Sequence, residues 1–422
     1  MPITDSDDLS IEFARAIDAA SPLREHRERF VFADDTIYLD GNSLGRLPRR
    51  TSQRLREVID TEWGRDLIRS WPTWIARHDD VAAALATGVL GVRPSEVTIA
   101  DSTTVNLYKV INAAADLRPG RSVILIERDN FPTDLYVVQG IAKARGMSVR
   151  VVDSDIDGGL SVEQVRSALD DDVALACFCH VSYRSGAIAD IEQITGVLHE
   201  AGAVAVWDLC HSAGAIRTPL AQARAEFAVG CTYKYLNSGP GAPAFLYVRE
   251  DLHDQVRQPI WGWFGQREQF AMGGDYDPVE GIARFTSGTP AVLGLSAIEE
   301  GVRSITDAGI DELEQGGRLL TGYGLVLADS WLAPLGFTVA SPRAASRRGS
   351  HLTLHHRQAW QICQAMIARG VVPDFRTPDR LRLGMAPLTT SFEEVWRGFD
   401  AIREIVETDE HLQFPAERAR VT

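Results

Sequence analysis

Apolar and polar positions divide the chain into stretches with different rhythms. Leu9 to Ala20 puts Ile11, Phe13, Ala14 and Ile17 on one side of a short helix. Ile37 to Gly45 reads as a short strand and a glycine-rich turn, and Pro48 opens a helix to about Trp63. Strands and helices then alternate. The strands are Val97 to Ala100, Ser122 to Glu127, Ser148 to Val152, Val173 to Phe178 and Ala203 to Trp207. Between them run helices over Val105 to Ala115, Thr133 to Ala144, Ser161 to Leu169 and Ile191 to Ala201. Phe227 to Val229 and Ala244 to Val248 complete the set. Short connections between alternating elements predict an α/β fold with a mainly parallel sheet covered by helices on both faces.

After Val248 the rhythm changes. Trp261-Gly262-Trp263-Phe264-Gly265 and the acidic, glycine-rich Gly273 to Gly281 predict a long loop region, whose aromatic density argues against disorder. Ala291 to Asp307 and Ile310 to Asp329 read as long helices. The remainder predicts strands at Phe337 to Ala340, His351 to His355, Val371 to Phe375 and Leu381 to Leu383, with helices at Arg357 to Arg369 and Ser391 to Val406. That is a smaller α+β C-terminal domain. The expected division is an N-terminal arm with helices over 1–60 packing with the small domain, a large domain over 61–300, and the small domain over 301–422.

Composition narrows the function classes. With 422 residues the chain exceeds one simple core, which supports two domains. Hydrophobic residues at 45% and charged residues at 24% are ordinary for a soluble globular protein. A net charge of -15 argues against nucleic acid or an anionic membrane as main partner. The cysteines at 177, 179, 210, 231 and 363 form no C-x-x-C pair, so reduced thiols in a cytoplasmic protein and no metal site are expected. Met1 to Asp8 is acidic without an apolar run, so no signal peptide is expected there, and no segment approaches membrane-spanning length.

Candidate chemistry gathers where parallel strands end, the place where open α/β sheets bind ligands. Asp101-Ser102-Thr103-Thr104 opens a helix, either as a plain cap or as a phosphate cradle. Phe131-Pro132-Thr133-Asp134 reads as a turn and cap, with an aromatic ring available for stacking. Asp208 ends an apolar strand, with His211 three residues on. Lys234 sits in Gly230-Cys231-Thr232-Tyr233-Lys234-Tyr235-Leu236-Asn237-Ser238-Gly239-Pro240-Gly241, either as a solvated loop residue or as a reactive amine. An acid at a strand end followed by a loop lysine suits pyridoxal 5'-phosphate. The amine would form a Schiff base, and the carboxylate would keep the pyridine nitrogen protonated.

From Tyr38 to beyond Pro387 the chain resembles kynureninase, of the fold-type-I aspartate aminotransferase superfamily. The resemblance rests on seven short patterns in the family's order. They are Leu39-Asp40-Gly41-Asn42-Ser43-Leu44-Gly45, Thr104-Val105-Asn106-Leu107, Phe131-Pro132-Thr133-Asp134, Trp207-Asp208-Leu209-Cys210-His211-Ser212-Ala213-Gly214, Tyr233-Lys234-Tyr235-Leu236-Asn237, Gly262-Trp263-Phe264-Gly265 and Arg348-Gly349-Ser350-His351. It implies a seven-stranded-type sheet in a cofactor-binding large domain. It also implies hydrolysis of the Cβ–Cγ bond of L-kynurenine or 3-hydroxykynurenine, and a cytoplasmic homodimer with a shared active site. The pathway context would be tryptophan degradation or NAD biosynthesis.

By the same resemblance, Lys234 is the Schiff-base lysine and α-proton base, and Asp208 pairs with the pyridinium nitrogen. His211 positions the carboxylate or the cofactor, Thr103 and Thr104 bind phosphate, Phe131 stacks on the ring, and Asp134 sits near it. Tyr233 touches phosphate and donates a proton to the β-carbon. Trp263 and Thr289 reach phosphate and substrate from the neighbouring subunit. Arg382 clamps the α-carboxylate, and Asn42 and Ser43 lie at the substrate mouth. Two departures stand out: Cys179 occupies a position where the family often has serine or threonine, and Asp40-Gly41 differs from its usual forms.

Three other readings stay open. A cysteine desulfurase or selenocysteine lyase needs a nucleophilic thiol on a mobile C-terminal loop. Ser341 to Gly349 holds no cysteine, and Cys363 falls mid-helix on an apolar pattern. The lysine and arginine contexts do not resemble the aminotransferase branch. A non-catalytic binding protein could keep the fold, although Asp208, Lys234 and Arg382 count against it.

Overall fold

The computed structural model describes residues 9–33 and 36–417. The acidic 1–8 segment, expected not to be a signal peptide, lies outside the described residues. The strands begin with β1 (Ile37–Tyr38) in the N-terminal arm. The large sheet follows with β2 (Val97–Ile99), β3 (Val123–Glu127), β4 (Ser148–Val152), β5 (Val173–Cys179), β6 (Val204–Asp208), β7 (Phe227–Gly230) and β8 (Phe245–Val248). Among the described residues this is a seven-stranded sheet in the order β2-β8-β7-β6-β5-β3-β4.

β3 to β7 run parallel, while β8 is antiparallel to both β7 and β2. β2 therefore points the same way as the parallel five, and their carboxyl ends share one edge. Alternate residues feed two cores. Leu125, Phe178 and Trp207 face one way, and Ile126, Cys177 and Val206 the other. Burial on both faces explains the continuous apolar runs of β5 and β6. β4 lies at the sheet edge, and its Arg150 pairs with Asp170 at 2.8 Å.

The connecting helices start where the sequence supplies caps. Ser102, Ser161 and Asp190 each accept an N–H from the residue three further on. One long helix was not foreseen, Trp71–Leu85. Its buried face includes Arg77, which pairs with Glu62 at 2.7 Å, so a charge interrupts the apolar stripe that would betray it.

The C-terminal part carries β9 (Thr338–Val339), β10 (His351–His355), β11 (Val371–Val372), β12 (Asp374–Arg376) and β13 (Arg380–Gly384). Four of them form an antiparallel sheet in the order β12-β13-β10-β9. The single strand expected from Val371 to Phe375 is broken at Pro373, which has no N–H to give a ladder. β11, before the break, pairs instead with β1 of the N-terminal arm. A third core of Leu39, Leu320, Leu352, Leu381, Phe399 and neighbours lies here. The arm is fastened a second time by Asp18, whose carboxylate accepts the Phe392 and Glu393 N–H groups at 2.8 and 2.9 Å. Those are otherwise unsatisfied donors at the start of helix Phe392–Glu407.

Candidate active site

The shared edge of the large sheet holds a cavity of about 370 Å³. Eight of the sequence-predicted residues line it: Thr103, Thr104, Phe131, Asp134, Asp208, His211, Tyr233 and Lys234. They arrive in pairs from the ends of four strands, β2, β3, β6 and β7, or from the segments that follow them.

After β2, Asp101 turns the chain with φ 50° and helix Thr103–Asp116 begins. The fully buried Lys109 holds that turn, donating to Asp101 Oδ2 and to the Phe285 carbonyl, both at 2.6 Å. The first-turn N–H groups of Thr103 and Thr104 have no acceptor within their own helix, and their side chains reach the cavity. That is a site for an anionic oxygen. After β3, Phe131 caps its helix half-exposed, edge-on to Tyr183 with ring centroids 5.4 Å apart. Three residues on, Asp134 is buried.

Asp208 Oδ1 accepts the Cys210 N–H at 2.6 Å. The Cys179 thiol donates to Asn130 Oδ1 at 2.9 Å and lies 3.8 Å from Asp208 Oδ2, and its backbone N–H is held by Glu127 at 2.9 Å. Lys234 Nζ sits 3.4 Å from His211 Nε2 and 5.8 Å from the centroid of the Phe131 ring. Burial, and next the charge of Lys234, holds the His211 pKa well below its ordinary value, so the ring is neutral.

Burial and the adjacent Asp208 hold the Asp134 carboxyl well above the usual range. Burial likewise lifts Glu127 to about 7. Burial also raises the Tyr233 hydroxyl, which keeps its proton at neutral pH.

This constellation fits pyridoxal 5'-phosphate. Asp134 Oδ2 is buried without a hydrogen-bond partner. Ligand atoms of Asp134, Cys179 and Asp208 lie within 4.8 Å of one another. Burial raises the thiol of Cys179 and the carboxyl of Asp134, so both hold protons beside Asp208. An acceptor flanked by two uncharged, proton-bearing groups suits an N–H cation.

The other predicted residues lie outside the cavity wall. Thr289 lines an adjoining recess of about 180 Å³ that shares Asp101 and Gly241 with the main cavity. Trp263 is 41% exposed and packs edge-on to Phe270. Arg382 is 1% exposed and fully engaged. It donates to the Tyr183 carbonyl and to Ser43 Oγ, each at 2.6 Å, and pairs with Asp374. With the Asn42 amide oriented by its hydrogen bonds, its oxygen accepts from Arg382 Nε at 2.9 Å.

The glycine-rich turn has a steric reason. Gly45 donates its N–H to the Tyr233 carbonyl at 2.8 Å, and a Cβ there would meet the Lys234 carbonyl oxygen at 2.3 Å. Only glycine lets the arm lie this close to the lysine loop.

Sequence reasoning missed Cys210 and Cys231 in the cavity wall, and Asp374 and Arg376 around Arg382. The register Asp374↔Arg382 between β12 and β13 joins that cluster, and no local pattern announces it. For the cysteines a signal existed: both follow strand ends that already held candidates.

Comparison with known proteins separates fold from family. Solved structures of similar shape include an apo cysteine desulfurase from Thermococcus onnurineus NA1, with a TM-score of 0.81 and 19% identity over 91% of this chain and 98% of that one. A cysteine desulfurase from Escherichia coli gives 0.77 and 17% over 93% and 98%. At such identities the likeness is one of fold. Sequence relatives are more specific. A family model described as the kynureninase C-terminal domain matches residues 314–402. The kynureninase of Pseudomonas fluorescens is 41% identical over 400 residues, 93% of this chain and 94% of that protein. The kynureninase of Burkholderia mallei is 40% identical over 408 residues, 94% and 96%. Identity of that order across nearly the whole length, cavity included, means that the chain belongs to the kynureninase family.

Proposed function

We propose that this protein is a pyridoxal 5'-phosphate-dependent hydrolase. It cleaves the Cβ–Cγ bond of L-kynurenine, L-3-hydroxykynurenine or both, releasing L-alanine and anthranilate or its 3-hydroxy derivative. The observation that carries the reading is the convergence of Lys234, Asp208, Asp134, His211 and the Thr103-Thr104 helix start on one cavity. Kinship with kynureninases supplies the reaction.

When bound, the cofactor supplies a protonated ring that takes up the electron pair released with the α-proton. Asp208 keeps the ring nitrogen protonated, with the Cys210 N–H and the Cys179 thiol holding the carboxylate in place. Thr103 and Thr104 hold the phosphate, and Phe131 covers the ring. Lys234 would hold the aldehyde carbon, and its amine would move the α-proton. The neutral His211, at 3.4 Å, leaves the lysine charge unopposed by a second cation. Tyr233 keeps its proton until the β-carbon needs it. Arg382 orients the substrate carboxylate from behind Ser43 and Asn42, exchanging one present acceptor for it.

The enzyme works as a homodimer in the cytoplasm, in tryptophan degradation, with Trp263 and Thr289 serving the neighbouring site. Exposure of Trp261, Trp263, Phe270 and Met272 along one loop region supports a partner there. Among the described residues no helix is long and apolar enough to cross a membrane. Separate cores under the two sheets, with the arm contributing to both, support a large and a small domain, but the large-sheet core takes in Val302, Ile305 and Leu313, so the boundary expected at 300 falls later, after Leu313. A desulfurase-type reading is disfavoured by Cys363, buried in helix Ala359–Ala368 with its thiol pushed up to about 12 by burial.

The deciding experiment mixes cofactor-loaded protein with each kynurenine. It compares kcat/KM from loss of substrate absorbance and formation of alanine. No alanine from either substrate sinks the activity, and a monomer with full activity on gel filtration sinks the shared site.

A further inference from the structure

Two cysteines that the proposed reaction does not use stand side by side in the cavity wall. β6 and β7 pair in parallel, Val206 opposite Phe227, Trp207 opposite Ala228 and Asp208 opposite Val229. The same offset, continued past the strand ends, brings Cys210 opposite Cys231, 21 residues on. The chains stay together there: Leu209 N–H donates to the Val229 carbonyl at 2.8 Å, and Cys231 N–H to Cys210 Sγ at 3.3 Å. The Cys231 thiol lies 3.9 Å from the Cys210 carbonyl oxygen. Neighbouring strands run about 4.8 Å apart, and the Cα atoms of a disulfide lie roughly 4.4–6.8 Å apart, so the register sets this pair within bridging span.

We propose that Cys210 and Cys231 form a reversible disulfide in the cavity wall when a peroxide reaches the cofactor-free protein, and that bound cofactor shields them. The shielding half rests on the cavity being the cofactor site; the bridging half does not.

The pair is chemically unequal. Burial works against ionising Cys231, but the hydrogen bond from Cys210 and the charge of Lys234 bring its pKa below the ordinary value. That same hydrogen bond, together with burial, raises Cys210. Cys231 is therefore the attacking thiolate. Its sulfur attacks one peroxide oxygen, the O–O bond breaks, and a sulfenic acid and hydroxide form. The hydroxide takes the Cys210 proton. Cys210 sulfur then attacks Cys231 sulfur and expels the second hydroxide, which takes up the proton Cys231 gave up on ionising and leaves as water. Two thiols are oxidised and one hydrogen peroxide is reduced to two waters; a dithiol reverses the change. Cys177, Cys179 and Cys363 are buried outside the cavity wall.

The test treats the full chain with hydrogen peroxide, stripped of cofactor or saturated with it, and maps peptides without reduction. The expected result for stripped protein is a mass loss of about 2 Da, a linked peptide pair containing 210 and 231, and full reversal by dithiothreitol. Cofactor at about 100 times its Kd leaves roughly 1% of chains open and should slow linking by up to about 100-fold. Cys231→Ser should form no link. Linkage of another pair, or none in the stripped wild type, overturns the bridge without recourse to any variant. Equal linking rates with cofactor bound, as judged by its absorbance band, overturn the shielding. Absence of that band at saturation instead overturns the cofactor reading and leaves the bridge standing.

Discussion

The cavity and the Arg382 cluster are both buried and both charged, yet they are balanced in opposite ways. Around Arg382, two carboxylates, Asp40 and Asp374, face two guanidiniums, Arg376 and Arg382. In the cavity and directly behind it, Asp134, Asp208 and Glu127 face one ammonium, Lys234, while His211 is held neutral. The first cluster is matched in charge without a ligand, although Asp40 Oδ1 and Arg376 Nε lack hydrogen-bond partners. The second balances its charge only by holding protons on carboxyls or by admitting a cation. A site built for a positively charged ring shows itself by what its own residues leave uncompensated. A site that meets its ligand by exchanging one acceptor for another shows matched pairs.

The largest effect that would test this contrast is Lys234→Ala. Turnover of kynurenine should fall by at least about a thousandfold, from loss of the proton-transfer group alone. A near-normal rate would remove Lys234 from the chemistry and the contrast with it. Next, Arg382→Met leaves the buried Asp374 and the partly buried Asp40 against one guanidinium. Urea unfolding of the cofactor-free protein should show a loss of about 3–5 kcal/mol. Lys234→Met, at a half-buried and loosely bonded position, should cost no more than about 1 kcal/mol in the same assay. Equal losses would mean that the two regions do not differ as described.

A smaller effect is expected from pH. Glu127 has its folded pKa raised from 4.5 to about 7, so the folded state binds the extra proton between those values. Stability from this group is therefore full below about pH 4.5 and is lost as pH rises through 7. Glu127→Gln keeps an acceptor for the Cys179 N–H and removes that loss. It should be the more stable protein at pH 8, by on the order of 2 kcal/mol, with a shallower slope between pH 4.5 and 7. Parallel curves would show that burial does not raise this carboxyl. Smallest of all, Cys363→Ser should leave kcat within about twofold and cost about 1 kcal/mol of stability. A collapse of turnover with the fold intact would instead make that thiol a nucleophile.

Much of this architecture was legible because the strands of a doubly covered sheet announce themselves as continuous apolar runs. Val173–Cys179 and Val204–Asp208 fall within a residue of their expected bounds. Eight residues of the cavity wall could be named in advance because parallel strands end on one edge and each end carried a polar residue. Helix Trp71–Leu85 escaped because Arg77 is buried by its pairing with Glu62, a tertiary event. The setting of Arg382 escaped for a related reason. Its acceptors come from Ser43, Tyr183 and Asp374, on three distant parts of the chain. Pro373 marked where one expected strand must break, and the arm at Ile37–Tyr38 turned out to be what pairs with the released half.

That arm has a consequence in time. Ser43 and its partner Arg382 are 339 residues apart, and the turn that grips the lysine loop through Gly45 belongs to the same early segment. At about 5–20 residues per second, a ribosome releases the arm roughly 20–70 s before the strand that fastens it. The large sheet can assemble during that interval while the arm has no β11 to pair with. A nascent chain stalled before β11 would hold its lysine without the clasp, and such chains are natural clients for chaperones.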